Sequence, residues 1–269
     1  ETVMGKNLKT LGWPRDTFVV SSKVFWGGDG PNQKGLNRKH VIEACHNSLR
    51  RLQVDYLDLF FCHRPDAQTP IAETVWAMNT LIQQGKVLYW GTSEWSAQQI
   101  MEAHAFARQN CLIPPAMEQP EYHMFHRERF EGEYANLYSS IGLGTTTWSP
   151  LNSGILTGKY LKGIPKNSRL SLESLNWLTD RILAEKAEEK RQKLPKLMAL
   201  AKDLGISMAV LAIAWLLKNP NVSTVILGAS KLPQLEENLK AAEAAELLTD
   251  EVMQKIEDIL QNRPQIIEW

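Results

Sequence analysis

The sequence predicts an α/β fold of repeated strand–helix units around a parallel sheet, closed as a (β/α)8 TIM barrel whose first two βα units are missing from the 269 residues. Three observations predict it. About six short apolar runs are each followed by a helical pattern, and repeated βα units require right-handed crossovers and parallel strands. No GxGxxG turn follows an early strand, as an open dinucleotide-binding sheet usually carries. The strands also end alike. Lys23, His63, Ser93 with Glu94, Gln119, Trp148 with Ser149, and Gly228 to Ser230 all fall at C-terminal tips, which is where a barrel gathers its working residues.

The elements follow in order. "ETVMGKNLKTLGWPRD" reads as a polar helix rather than a signal peptide. "TFVVSSKVFW" (17–26) is the first strand, and Val41, Ile42, Cys45, Leu49 and Leu52 give the helix 38–52 its apolar face. "YLDLFFCH" is a strand buried on both faces, leading to a helix over 71–85 with Gly85 at C′. "KVLYWGTSEW" precedes a helix with Ser96 as N-cap. "PAMEQPEYH" leads to a helix beginning near His126, and "GLGTTTWSPL" (142–151) to the longest irregular stretch, "NSGILTGKYLKGIPKNSRLSLESLNW". Helices over 185–203 and 207–218 precede the strand "STVILGAS", the helix "LPQLEENLKAAEAA" and a last amphipathic helix over 249–261.

Composition bounds the function. Thirty basic residues balance thirty acidic ones, so no nucleic-acid or anionic-membrane surface is advertised. Cys45, Cys62 and Cys111 have no CxxC spacing and an odd count, which reads as buried thiols of a reduced compartment rather than a disulfide framework or zinc site. No apolar run approaches the roughly 18 residues of a membrane helix. A cytoplasmic protein without direct membrane insertion is expected. The chain starts without Met and is read as N-terminally incomplete, one domain over 1–269.

"SSKVFWGG", "FCHRPD", "YWGTSEWS", "EQPEYHMF", "TTWSPLNSGILTGKY" and "VILGAS…QLEEN", in order from about Glu1 to Pro264, resemble the aldo-keto reductases. They are most similar to the branch of the voltage-gated potassium channel β subunits and their bacterial and plant enzyme relatives. The resemblance implies a (β/α)8 barrel that reduces an aldehyde or ketone with NADPH and needs no metal. It makes Lys23 and His63 the surviving part of a catalytic set whose Asp and Tyr lie upstream of Glu1. A cation beside a tyrosine, whose ordinary pKa is about 10, favours the phenolate, and His63 would orient the carbonyl. Ser93 and Gln119 would hold the nicotinamide carboxamide while Trp148 stacks on the ring. Ser149, Pro150, Leu151, Asn152 and Ser153 would line the pyrophosphate, with Lys159 and Arg169 strapped over the phosphates. Gly228 would admit the ligand backbone-close, and Ser230 would act as helix cap and 2′-phosphate contact. Gln234, Glu237 and Asn238 share a helix face suited to adenine and ribose. Two cations plus Ser230, with Lys231 nearby, favour NADP(H) over NAD.

Two departures from the branch are visible. His63 stands where the channel subunits often have Asn, and Glu94 where they often have Arg. The first favours an enzyme; the second places a carboxylate near a pyrophosphate. The resemblance also carries an alternative, an NADPH-binding, redox-sensing auxiliary subunit of a potassium channel with little turnover, and with it a homotetramer and a channel partner. Taken singly, Lys23 is by default a rim charge, His63 a core histidine and Trp148 a core ring; their joint placement at strand tips raises them above that.

Overall fold

The computed structural model of the protein describes residues 1–166, 168–184 and 187–265, with backbone alone at 181–184 and 187–188. The chain forms two compact units, residues 1–119 with 139–144, and residues 120–138 with those from 145 on.

The first unit is a run of parallel βα repeats. Strands β1 (Ser21–Val24), β2 (Leu57–Cys62), β3 (Val87–Thr92) and β4 (Met117–Glu118) pair in sequence order, with Lys23 opposite Phe61, Phe61 opposite Gly91 and Gly91 opposite Met117. Leu57, Phe60, Phe61 and Trp90 are fully buried, as strands covered by helices require. Gly91 is needed for close approach: a Cβ there would lie 2.3 Å from the Met117 carbonyl oxygen. Helices α1 (Thr2–Leu11), α2 (Arg38–Leu52), α3 (Ile71–Gln83) and α4 (Ala97–Gln109) complete the unit. Asn37 caps α2 by accepting from the His40 N–H at 2.9 Å. Ser96 and Gln99 close a reciprocal capping box on α4, and Gly85 leaves α3 at φ 67°.

The first strand is shorter than 17–26. Arg15–Thr17 form a 3-10 turn, held by the Arg15 guanidinium on the Phe18 carbonyl and on Asp58. Beyond Val24 the chain leaves the sheet, and the Phe25 carbonyl accepts from the Gly35 N–H at 2.8 Å.

In the second unit, β5 (Gly144–Thr147) pairs in parallel with β6 (Thr224–Val225), with Thr146 opposite Thr224. The helical segment expected near His126 begins two residues later, at Glu128. His123 and His126 exchange backbone hydrogen bonds in a tight turn, a wide helical turn covers Glu128–Glu133, and α5 (Ala135–Ile141) follows. The irregular stretch contains 3-10 turns at Asn152–Thr157, Arg169–Ser171 and Glu173–Leu175 and then α6 (Asn176–Ala184), which the sequence reading missed. Of the helix expected over 185–203, residues 185 and 186 lie outside the described residues; α7 covers Ala187–Asp203. α8 (Met208–Leu217) is buried from Met208 through Leu216. The helix expected from Leu232 is two: α9 (Leu232–Leu239) and α10 (Ala241–Ala244). α11 (Asp250–Leu260) is capped by Thr249. Cys45 and Cys62 are buried as expected, but Cys111 is exposed, because it follows the end of α4 in a left-handed turn. Among the described residues no single helix is long and apolar enough to cross a membrane.

Candidate active site

In the first unit, parallel pairing continues one residue past each strand end. The His63 N–H donates to the Val24 carbonyl at 2.8 Å, the Ser93 N–H to the Cys62 carbonyl at 2.9 Å, and the Gln119 N–H to the Thr92 carbonyl at 2.8 Å. Each bond hands the chain on to the next strand tip. His63, Ser93 and Gln119 are therefore brought to one level at the C-terminal end of the sheet by backbone register, while Lys23 sits opposite Phe61, two residues lower, close enough for its charge to act on His63. Ser93 and Gln119 are buried, while Lys23 and His63 are half-buried.

The side chains there interact. The Ser93 Oγ donates to the Gln119 backbone carbonyl at 2.8 Å. Arg64 donates to the His63 carbonyl at 2.5 Å and reaches the Ser93 Oγ at 3.4 Å. Burial, then the Arg64 guanidinium, then Lys23 push the His63 pKa down from 6.5 to about 4. Burial and Arg64 also hold Lys23 below its ordinary value. His63 is thus a neutral imidazole at neutral pH, able to accept at one ring nitrogen and donate at the other. Behind this edge, Thr92 hydrogen-bonds the fully buried Glu118. Glu94 follows Ser93 at φ 60°, so the chain turns sharply as it leaves β3.

In the second unit, the Thr147 carbonyl accepts from Ile226 N–H at 2.8 Å, and Trp148 donates to the Pro120 carbonyl at 3.1 Å. The chain then coils tightly. Ser149, Asn152 and Ser153 take φ of 61°, 47° and 53°, and Gly154 takes 98°. Such left-handed residues turn successive N–H groups into a concavity suited to anions; Pro150 contributes none and Leu151 stays half-buried. Asn152 is 4% exposed, and its Nδ2 has no hydrogen-bond partner among the described residues. A buried amide donor without an acceptor costs about 1–3 kcal/mol, so this position favours an acceptor-bearing ligand. Lys159 folds back over the same turn: a Cβ on Gly154 would lie 2.9 Å from its Nζ. The Arg169–Ser171 turn packs against this coil, with Arg169 itself exposed. The predicted phosphate-binding residues are therefore gathered here, and an orphaned donor plus a folded-back ammonium fit a pyrophosphate.

The remaining residues are placed less simply. Gly228 is exposed with open space around it. Ser230 does not cap α9. Lys231 occupies that position, and Gln234 Oε1 accepts from both the Ser230 N–H at 2.9 Å and its Oγ at 3.2 Å. The longer amide reaches back one turn, so the capping contact expected of Ser230 belongs to Gln234. On that helix Asn238 is buried, Glu237 half-buried and Gln234 exposed, because α9 packs against α8. A separate cavity of about 470 Å³ in this unit, lined by Tyr122, Arg127, Trp215 and Glu257 among others, contains none of the predicted site residues. Sequence reasoning missed Arg64. Its signal was a cation directly after His63 in "FCHRPD".

Comparison with known proteins shows the family. A family model described as "Aldo/keto reductase family" matches residues 1–261. A rice (Oryza sativa subsp. japonica) protein named "Probable voltage-gated potassium channel subunit beta" is 53% identical over 265 residues, covering 98% of this chain and 80% of the relative. A protein of the same name from Arabidopsis thaliana is 52% identical over 265 residues, with the same coverage.

Proposed function

This chain belongs to the aldo/keto reductase family, and from that premise we propose that it is an NADPH-dependent reductase of small aldehydes or ketones acting in the cytoplasm. A bound NADPH supplies the hydride. The observation that carries the reading is the backbone ladder that aligns His63, Ser93 and Gln119 at the C-terminal end of the sheet, with Lys23 near enough to lower the His63 pKa. Negative charge develops on the carbonyl oxygen during reduction and must be met by a donor. His63, held neutral, offers a ring N–H to that oxygen and orients it. Lys23, as an ammonium, would stabilise the developing charge and lower the pKa of an acidic hydroxyl beside it, the group that would hand its proton to the alkoxide as the alcohol forms. Ser93 and Gln119 orient the carboxamide. Ser149 to Ser153, Lys159 and Arg169 take the phosphates, while Ser230, Gln234, Glu237 and Asn238 serve the adenosine end with Gly228 leaving room. Two cations and Ser230 support NADP(H) over NAD.

Titrating NADPH into the full-length protein and following tryptophan fluorescence tests the binding step. We expect saturable quenching, and about tenfold weaker binding in Asn152→Ala, the loss of one charge-assisted hydrogen bond. Unchanged fluorescence across the titration would overturn the cofactor assignment.

The names of the rice and Arabidopsis relatives favour a second reading, an auxiliary β subunit of a potassium channel that binds the same cofactor and turns over slowly. Co-purification with a channel separates the two.

A further inference from the structure

The loop that leaves the C-terminal end of β1, residues 25–35, carries glycines at 27, 28 and 30 and is costly to order by itself. It is nevertheless closed. The Phe25 carbonyl accepts from the Gly35 N–H at 2.8 Å, and Gln33 Oε1 braces the tip by accepting from the Gly30 N–H at 3.1 Å. His40 and Thr74 reach the carbonyls of the neck, at Gly35 and Leu36. Asp66, in the loop after β2, takes its N–H side. Asp66 Oδ2 accepts from the Leu36 N–H and from the Thr69 hydroxyl, each at 2.8 Å, and Oδ1 accepts from the Gln68 N–H at 2.9 Å. Gly35 permits this approach, since a Cβ there would lie 2.5 Å from Asp66 Oδ2. Asp66 thus latches the loop after β1 to the loop that follows His63.

Trp26 is the exposed ring of this loop, at 58%, three residues past Lys23. Phe25 meets it edge to face with 4.7 Å between centroids, and the Lys34 ammonium lies 4.7 Å from its centroid. Phe25 and Lys34 stand at the two ends of the loop, so the neck that Asp66 closes also pins the ring. We propose that Asp66 is a positioning residue that acts through this neck to hold Trp26 as a preformed wall for the ring-bearing body of a carbonyl substrate. The inference rests on the reductase reading and deepens it, naming aromatic aldehydes and ketones as the favoured class. A preformed wall spares the cost of ordering the loop on binding. Its effect therefore falls on KM, and on substrates that carry a ring.

The test is steady-state NADPH oxidation by the full-length protein with 4-nitrobenzaldehyde and with propanal, which has no ring to rest on Trp26. Asp66→Ala is expected to raise KM for 4-nitrobenzaldehyde about tenfold, the worth of one aromatic contact, with kcat within about twofold. It should leave kcat/KM for propanal within about twofold of wild type. Asp66→Asn keeps a carbonyl oxygen for Leu36 and Thr69 and is expected to stay within about threefold of wild type on both substrates. Trp26→Ala is expected to match Asp66→Ala on 4-nitrobenzaldehyde, and the double variant to go no further, because the latch has nothing left to hold once the ring is gone. Additive effects, an unchanged KM in either single alanine variant, or an Asp66→Ala loss shared equally by propanal overturns the inference. A wild type that binds NADPH and oxidises it with neither aldehyde instead overturns the reductase reading on which it stands.

Discussion

His63 carries the sharpest chemistry of any single residue. Burial, Arg64 and Lys23 lower its pKa from 6.5 to about 4, so between those values the unfolded chain binds a proton that the folded chain refuses. The stability this group contributes is fully present above pH 6.5 and is lost as the pH falls through about 4. Catalysis should follow the same titration. kcat/KM is expected to show no His63 limb between about pH 5 and 8 and to fall near pH 4; a rise towards pH 4 would mean that the imidazolium is the working form. His63→Ala should lower kcat/KM about 100-fold, the low end of what a positioned proton-handling group supplies, with NADPH affinity unchanged. At this scale the sequence was informative about placement at strand ends. The positions of Lys23, His63, Ser93 and Gln119 were legible for that reason. Arg64 was not, because its partners are a carbonyl and a hydroxyl whose positions depend on register. Ser230 was misjudged because a neighbouring glutamine, long enough to reach back a turn, took the capping contact.

Among the elements, register and closeness do the positioning, and both can be broken locally. A Cβ at Gly91 would lie 2.3 Å from the Met117 backbone oxygen, and backbone cannot yield as a flexible side chain does. Gly91→Ala should therefore cost about 2 kcal/mol in urea unfolding, in the range for overpacking, and should weaken NADPH binding through the displaced Gln119. A loss below about 0.5 kcal/mol would show that β3 and β4 are not so tightly apposed. In the second unit, Arg127 is 2% exposed and joins Glu131 at 2.7 Å to Glu257 at 2.8 Å, tying the turn at Glu128–Glu133 to α11. Removing one partner of a buried ionic cluster leaves charge uncompensated, so Arg127→Met should cost about 3 kcal/mol, read as a shift in the urea midpoint. Helices with clear caps were the most legible elements: α2 spans the expected 38–52. Strand 17–26 was overestimated, since apolar sequence continues after the ladder has ended at Val24. α6 starts at the last two residues of the stretch read as irregular, Asn176 and Trp177, and runs on to Ala184.

At the scale of the molecule, parallel βα repeats were readable from periodicity and from the absence of a nucleotide-binding glycine turn. The division into two compact units was not. Periodicity reports which face of an element is buried and says nothing about how densely successive elements contact one another. The family assignment rests on motifs spread over the whole length, and the model match over residues 1–261 bears it out. Enzyme and channel-subunit readings share the fold and the proposed cofactor and diverge in turnover and in whether a channel is bound. Mixing an excess of the NADPH-loaded, full-length protein with an aldehyde such as 4-nitrobenzaldehyde in a stopped-flow instrument, and following the nicotinamide absorbance through a single turnover, measures that divergence directly. The account predicts oxidation of one NADPH per alcohol formed, slowed about 100-fold by His63→Ala. Bound NADPH that stays reduced over a panel of aldehydes and ketones would contradict it.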